Sequence, residues 1–297
     1  MAMTVRRRHG APGIALLRYF IARTMADRLL VAWPAMLAAT ALLAFVVGRS
    51  MMVEQEQATL AFLGSGIRLA LMLAVTSITA IAIARDFDSR EMEFLASRVA
   101  SRLDLLLAMV ATALLLATGM VVMAIPLMFM MGSPPPLGVF LWALTLALEA
   151  GLCGIFAIFI ALAIANATIA ILATLGWYVL ARLSGMLLGL AGVPAMGDPR
   201  LAAEPAAGPA VAAAASSRAL APDPASLGDL VDPHRFGDAL AHLFPLLLPR
   251  LDLLAQSDWL VHPPQAVHAL LPVAAQCLVH GALVASAAFL DFRHRSF

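Results

Sequence analysis

The chain has 297 residues, of which 62% are hydrophobic and only 12% are charged, and its formal net charge is +1. Soluble domains carry about 25% charged residues, so this composition excludes an ordinary soluble enzyme, and the near-neutral charge gives no reason to expect a nucleic-acid partner. Every basic residue is arginine. Because the lysine of a Walker A loop is therefore missing, we expect no nucleotide chemistry on this chain.

Six apolar stretches are each long enough to cross a bilayer. A helix needs about 20 residues to cross about 30 Å of hydrocarbon, and backbone polar groups in lipid must be paired within the segment. The predicted spans are residues 31–47, 67–84, 105–131, 137–163, 168–193 and 268–290. The sequence thus predicts an all-α polytopic membrane protein, with residues 1–297 forming a single transmembrane domain.

Residues 1–30 are predicted to form a cytoplasmic tail and an interfacial helix that leads into the first span. The stretch from Ile14 to Arg28 is apolar but is interrupted by charges such as Arg18 and Arg23, as in helices that lie at a membrane surface. The alternative is one longer first helix whose basic end snorkels to the interface. No cleavage-site pattern follows the first arginines, so we expect the first span to be retained.

The placement of arginines predicts the orientation. Short cytoplasmic loops are enriched in basic residues, and the arginines cluster near both termini and in the loop after the second span. Both termini and that loop are therefore predicted to be cytoplasmic.

Residues 85–104, between the second and third spans, carry charges of both signs and two helix-start signals. Asp88 followed by Glu91 has the spacing of a capping box, and Ser101 followed by Asp104 predicts a second cap that opens the third span.

Between these caps, Met92, Leu95 and Val99 fall on one side of a helix. We expect a short helix at the membrane surface that presents side chains to a cytosolic partner. The alternative is a solvated connector with basic residues retained on the cytoplasmic side.

The later connections differ greatly in length. Turns at Gly132–Pro136 and Asn166–Thr168 are short, which makes spans three, four and five sequential antiparallel neighbours. Residues 194–226 are rich in Ala, Pro and Gly and are predicted to be a disordered outer loop. Residues 227–265 are predicted to form short outer helices resting on the membrane face, with Trp259 in the aromatic belt.

Three ionisable residues fall inside predicted spans, namely Glu149, Arg182 and His280. Charge at membrane depth is costly and is often functional. Glu149 and His280 are predicted at similar depth, whereas Arg182 either snorkels outward or reaches a carboxylate in a neighbouring span. Two interpretations stay open: a polar patch on a translocation route or proton relay, and structural hydrogen bonding between helices.

Other chemistry is not favoured. Histidines of the outer segment could form a metal site with nearby acids, but they lack the tight spacing of such a site; these residues are His234, His242, His262, His268, Asp252 and Asp258. Neither Gly64-Ser65-Gly66 nor Ser184-Gly185 fits a nucleophile pattern, and no zinc-protease motif is present. Cys153 and Cys277 are expected to pack inside the spans. We therefore expect no enzymatic activity, metal or cofactor.

Two segments of the sequence resemble those of a known family. The segment RDFDSREMEFLASRVASR, Arg85 to Arg102, between spans two and three of a six-span chain, resembles the cytosolic stretch of ABC-2 type transporter permeases. Residues 246–253 and 257–260 are similar to the sequence before the last span in some bacterial members. The chain departs from the family at Val99, where proline is common, and at Leu107-Ala108, where glycine and lysine are common.

The resemblance implies a permease subunit that forms a translocation path among membrane lipids, pairs with a second permease copy or a paralogue, and binds two copies of an ABC ATPase subunit, which would carry the ATP and magnesium. It also implies an ATPase-coupling segment. That segment would include Phe87, Asp88, Ser89, Arg90, Glu91, Met92, Glu93, Phe94, Leu95, Arg98 and Arg102. The alternatives are an ion-coupled secondary transporter that uses Glu149, Arg182 and His280, and an envelope-assembly scaffold without cargo.

Overall fold

The computed structural model describes residues 12–52, 54–98, 101–190, 248–254, 256–262 and 270–294. In these ranges the chain forms α-helices and two short 3-10 helices, and no β-strand. The α-helices are α1 (Pro12–Ala26), α2 (Arg28–Ser50), α3 (Gln55–Asp88), α4 (Glu91–Arg98), α5 (Arg102–Met131), α6 (Pro136–Ile164), α7 (Ala167–Leu190) and α8 (Leu270–His294). The 3-10 helices, Leu251–Leu253 and Ser257–Leu260, lie between α7 and α8 along the chain.

Six of the described helices, α2, α3, α5, α6, α7 and α8, are long and apolar enough to cross a membrane. They coincide with the six predicted spans, so the fold class is that of a helical multi-pass membrane protein. The largest difference from the predicted bounds is α3, which begins at Gln55, about three turns before the predicted start at residue 67.

Helices α3 and α6 form the centre of the bundle. In the most apolar window of each helix, 67% of α3 and 61% of α6 is buried, against 22% of α2 and of α8. Helices α5, α6 and α7 pack as consecutive neighbours, as the short turns predict. The second turn is fixed by Asn166, whose Oδ1 accepts a hydrogen bond of 3.1 Å from the Ile169 amide.

The N-terminal helix is separate from the first span. Asp27 has extended backbone (φ −73°, ψ 129°) and caps α2, its side chain accepting a hydrogen bond from the Leu29 amide at 3.0 Å. The alternative of one continuous first helix is therefore wrong, because the chain changes direction at this cap.

The bend between α3 and α5 differs in part from its prediction. The prediction of a capping box at Asp88 and Glu91 is wrong. Helix α3 continues through Asp88, and the Ser89 amide donates to the Arg85 carbonyl at 2.9 Å. The chain turns at Arg90, whose φ of 57° lies in the left-handed region. The second cap is confirmed, since Ser101 Oγ accepts from the Leu103 amide at 3.2 Å.

The two ends of the bundle can be named from these contacts. We call the end that holds α1, α4 and the last residues of α8 the α4 end, because α1 contacts the end of α3 and Arg102 at the start of α5 binds the Phe292 carbonyl of α8. The opposite end holds the α2–α3 and α5–α6 connections, which meet where Ser133 donates its amide hydrogen to Glu56.

The segment before α8 is inserted into the bundle. We call residues 248–254 and 256–262 the inserted segment; its 3-10 helices pack on α3, α6 and α7. Leu251, Leu254 and Leu260 are fully buried and Trp259 is 6% exposed. The segment is therefore packed between the helices, which corrects the prediction that it rests on the membrane face. The placement of Trp259 in an aromatic belt stays a prediction.

Glycines in distant helices make room for the insertion. The Trp259 carbonyl contacts Gly138 of α6 at the point where a Cβ atom would stand, and Asp252 does the same at Gly185 of α7. These gaps carry no local signal in residues 248–262 themselves. The disorder predicted for 194–226 and the outer helices predicted for 227–247 and 263–265 lie outside the described residues.

Candidate functional site

The first candidate site is the bend formed by α4 and the residues that precede it. Asp88, Ser89, Arg90 and Glu93 are exposed, and Phe94 keeps 54% of its surface exposed. On the other side of the bend, Met92 is fully buried and belongs to the apolar cluster that also contains Phe20 of α1. Helix α4 thus has one buried face that packs on the bundle and one exposed face.

The other predicted residues of the bend have mixed environments. Phe87 and Leu95 are half-buried and pack against the same cluster as Met92. Arg102 Nη1 donates to the carbonyls of Phe292, at 2.8 Å, and Arg293, at 3.1 Å, so it joins α5 to α8. Arg98 ends α4, and the placement of its side chain lies outside the described part of the structure.

Helix α1 is attached to this bend by polar side chains. Arg23 forms an ion pair with Asp86, whose side chain is 2% exposed, and its Nη1 lies 3.7 Å from Glu91 Oε2. The Tyr19 hydroxyl donates to Glu91 Oε1. One turn away, Arg85 pairs with Asp27 at 2.8 Å. We call Tyr19, Arg23, Asp86 and Glu91 the α1 clamp.

The charges of the α1 clamp stabilise its hydrogen bonds. Burial, followed by the hydrogen bond and charge of Glu91, raises the pKa of Tyr19 above its usual value of 10.0, so the phenol remains a donor. Burial alone would lower the pKa of Arg23, but the carboxylates of Asp86 and Glu91 outweigh it and raise that pKa. The clamp is therefore a cation held between two acids, with a neutral tyrosine beside them.

The second candidate site is a polar cluster inside the bundle, built around Glu149 and Arg182. Glu149 is completely buried, and its Oε1 lies 3.3 Å from Arg182 Nη1. The same nitrogen donates to the carbonyls of Leu251 and Leu254, the latter at 2.9 Å. The structure thus brings Arg182 to a carboxylate in a neighbouring span and also to the inserted segment.

Arg68 of α3 also belongs to this cluster, although it was not among the candidate residues predicted from the sequence. It is 8% exposed, and its Nη2 donates to Ser257 Oγ at 3.2 Å. Ser257 Oγ in turn lies 2.9 Å from Ser65 Oγ. The sequence feature that could have identified Arg68 is a single arginine one residue inside the predicted second span. At that position it was interpreted as the boundary of the span. The true start of α3 at Gln55 places it well inside the helix.

Arg68, Glu149 and Arg182 lie at a similar level in the bundle. Each is about 15 to 20 residues from the end of its helix nearest the α4 end, or about 22 to 30 Å at 1.5 Å per residue. Since α3 finishes with a charged turn, Arg85–Asp88, this level lies in the half of the membrane-spanning region opposite α4.

The remaining predicted candidates lie elsewhere. His280 is half-buried on α8, and its Nδ1 is 2.9 Å from the Gln276 carbonyl of the same helix. Cys153 and Cys277 are buried free thiols. Of the outer histidines, His262 is 72% exposed and lies 3.8 Å from Asp258; His234, His242 and His268 lie outside the described residues. The ranges that the structure describes contain no cluster of three metal-binding side chains.

Chemically, the two sites differ. The bend offers exposed charges and an aromatic ring suited to contact with another protein, whereas the polar cluster offers buried guanidinium and hydroxyl donors. No protein-family model matches this sequence, and no curated protein matches it. The functional interpretation therefore depends on the architecture and on these two sites.

Proposed function

We propose that the chain is the permease subunit of an ATP-driven transporter of the ABC-2 type, which forms the translocation path and is driven by a separate ATPase subunit. The observation that carries the proposal is the bend: a short helix with an exposed charged face, placed directly between two membrane-spanning helices. In this proposal the chain hydrolyses nothing itself, and ATP and magnesium belong to the partner.

The arrangement of helices at the bend supports a mechanical role. Helix α3 runs 34 residues and α5 runs 30 residues without interruption, and both leave the bend directly. A force applied to α4 would therefore displace the central helix α3 as well as α5, as in rigid-body and shear movements of packed helices. The α1 clamp would extend the same displacement to the N-terminal helix.

The proposal also specifies partners and location. The α4 end would face the cytoplasm of a bacterial cell, with both termini on that side of the inner membrane and two ATPase subunits docked there. A second copy of the chain, or a paralogue, would complete the path. The arginine-rich composition near the bend and both termini supports this orientation.

Co-purification with an ATPase tests the proposal. The candidate ATPase is to be sought as an adjacent reading frame with a Walker A loop and co-expressed with the intact chain. We expect the double variant Arg90→Glu, Glu93→Arg to lose at least about tenfold of the bound ATPase, because reversing exposed charges at an interface replaces attraction by repulsion.

The matched control is Arg28→Gln, which removes an exposed arginine at the same end of the bundle but outside α4. It should keep the ATPase bound. Equal ATPase retention by the double variant and the parent chain would remove the docking assignment.

One observation favours a second candidate, an ion-coupled secondary transporter: the completely buried Glu149 paired with Arg182. In that case the purified chain alone, reconstituted in liposomes, would move cargo down an ion gradient without nucleotide, and Glu149→Gln would abolish the movement. Dependence of transport on ATP and on the partner would exclude this candidate.

A further inference from the structure

We propose that the cavity between α3 and α7 binds the phosphate group of an anionic membrane lipid, with Arg68 as the main ligand. The cavity has a volume of about 210 Å³ and is lined by Ser65, Arg68, Leu69, Tyr178, Val179, Arg182 and Leu183. This inference concerns a ligand site, and it holds whether or not the chain is coupled to an ATPase.

The first step is the charge of the cluster. Arg182 has Glu149 as its partner, but among the described residues no carboxylate oxygen lies within 4.0 Å of a nitrogen of Arg68. Arg68 and Arg182 carry two positive charges against the single carboxylate of Glu149, so one positive charge is left over among these three residues. Burying a cation without an anion is costly, above all at membrane depth. Within the described ranges of the chain, the site therefore lacks one negative charge.

The second step is the supply of hydrogen-bond donors. Arg68 Nε is buried and has no hydrogen-bond partner in the described part of the chain. Arg68 is 8% exposed. It lines the cavity together with Ser65 and Tyr178, which carry hydroxyl groups. The Ser65 hydroxyl donates to the Ala61 carbonyl at 2.9 Å and the Tyr178 hydroxyl is bonded to Glu149, so the donors open to a ligand are N–H groups of Arg68. A guanidinium binds phosphate through two parallel N–H bonds. This donor set fits a tetrahedral oxyanion.

The third step is the position of the cavity. Its other walls are Leu69, Val179 and Leu183, which are 62%, 50% and 44% exposed on the outside of the bundle. The polar donors therefore lie behind an apolar rim. Since the cluster lies in the half of the bundle opposite α4, a headgroup would reach the arginines while its acyl chains ran along the exposed leucine and valine side chains. An amphiphile fits this rim better than a free anion.

Native mass spectrometry of the purified full-length chain tests the site. The probes are dioleoylphosphatidylglycerol, the uncharged dioleoylglycerol with the same acyl chains, and glycerol phosphate, which has the phosphate without the chains. We expect one tightly retained phosphatidylglycerol per chain and no equivalent retention of dioleoylglycerol. Glycerol phosphate should compete weakly, because it gains nothing from the apolar rim.

Two variants and one control complete the test. Arg68→Gln should weaken retention of phosphatidylglycerol by about tenfold or more, the usual effect of losing a hydrogen bond to a charged group. Val179→Trp narrows the rim without touching Arg68, and it should also lower retention. Arg49→Gln removes an exposed arginine at the same end of the bundle and should leave retention unchanged.

Several results would overturn the proposal. One is equal retention of phosphatidylglycerol and dioleoylglycerol; another is unchanged lipid retention in Arg68→Gln. If Arg68→Gln does not fold, unchanged retention in Val179→Trp is decisive instead. Full competition by glycerol phosphate would show a site for free phosphate, and dissociation of a dimer by Arg68→Gln without lipid loss would show that a partner carboxylate fills the cavity.

Discussion

At each of the two sites, a buried carboxylate lies beside an arginine. Glu149 depends on Arg182, and Asp86 depends on Arg23. A buried ion pair adds little net stability, because desolvation offsets the attraction between the charges. Removal of one partner is much more damaging, since the other charge is left buried.

We predict that Glu149→Ala lowers the free energy of unfolding by up to about 3–5 kcal/mol, because Arg182 would lose its carboxylate. Glu149→Gln should cost less, since the amide oxygen still accepts a hydrogen bond. Thermal unfolding of the purified chain in detergent measures both changes. Glu93→Ala, at an exposed position of α4, is the control and should stay within about 0.5 kcal/mol.

At the residue scale, the sequence identified the charged residues inside the spans but did not identify their contacts. Glu149 and Arg182 stand out because each interrupts an apolar run. Their contact depends on the rotation of α6 relative to α7. Neither apolar run predicts that rotation. Arg68 was missed for a different reason: α3 begins with the polar residues Gln55, Glu56 and Gln57, so the apolar span seemed to begin at residue 67.

At the scale of elements, the helix starts were predictable where the cap is local. Ser101 and the Pro136 that opens α6 follow directly from residue type and position. Asp88 was not predictable in this way, because α3 continues by one turn while Arg23 pairs with the neighbouring Asp86. A tertiary contact there outweighs a local capping preference.

The inserted segment gives an element-scale prediction. Gly138→Ala should destabilise the insertion, because the added methyl would meet the Trp259 carbonyl, and overpacking of this kind costs about 1–3 kcal/mol. Hydrogen exchange over residues 251–260 should become faster. Gly176→Ala is the matched control, since outside the local backbone of α7 no atom of the described residues lies within 4 Å of the added carbon. Slower or unchanged exchange in Gly138→Ala would contradict the inserted placement.

At the scale of the whole molecule, six apolar runs were sufficient to predict the fold class. Length and hydropathy decide which segments can cross lipid, and short turns decide which neighbours are antiparallel. The central position of α3 and α6 was not predictable from hydropathy, because lipid and protein interiors are equally apolar. The insertion between α7 and α8 was hidden for the same reason, since it depends on gaps at Gly138 and Gly185.

Cysteine labelling tests the orientation of the whole chain. Met52→Cys lies at the opposite end from α4 and is 98% exposed in the parent side chain, whereas Glu93→Cys lies on α4. We expect a membrane-impermeant maleimide to label Met52→Cys in spheroplasts with intact inner membranes and Glu93→Cys only after that membrane is opened. The native thiols are buried and should give a low background. Labelling of Glu93→Cys from outside would reverse the topology.

The break between α1 and α2 at Asp27 offers a way to measure conformational change in this protein. Helix α1 is bound to the bend through Tyr19 and Arg23, yet it is joined to α2 only through a capped corner. A pair of fluorophores, one at exposed Arg18 and one near the start of α2, would thus record movement of the bend as a change in distance. This measurement does not require the cargo to be known, because the position of α1 itself reports the movement.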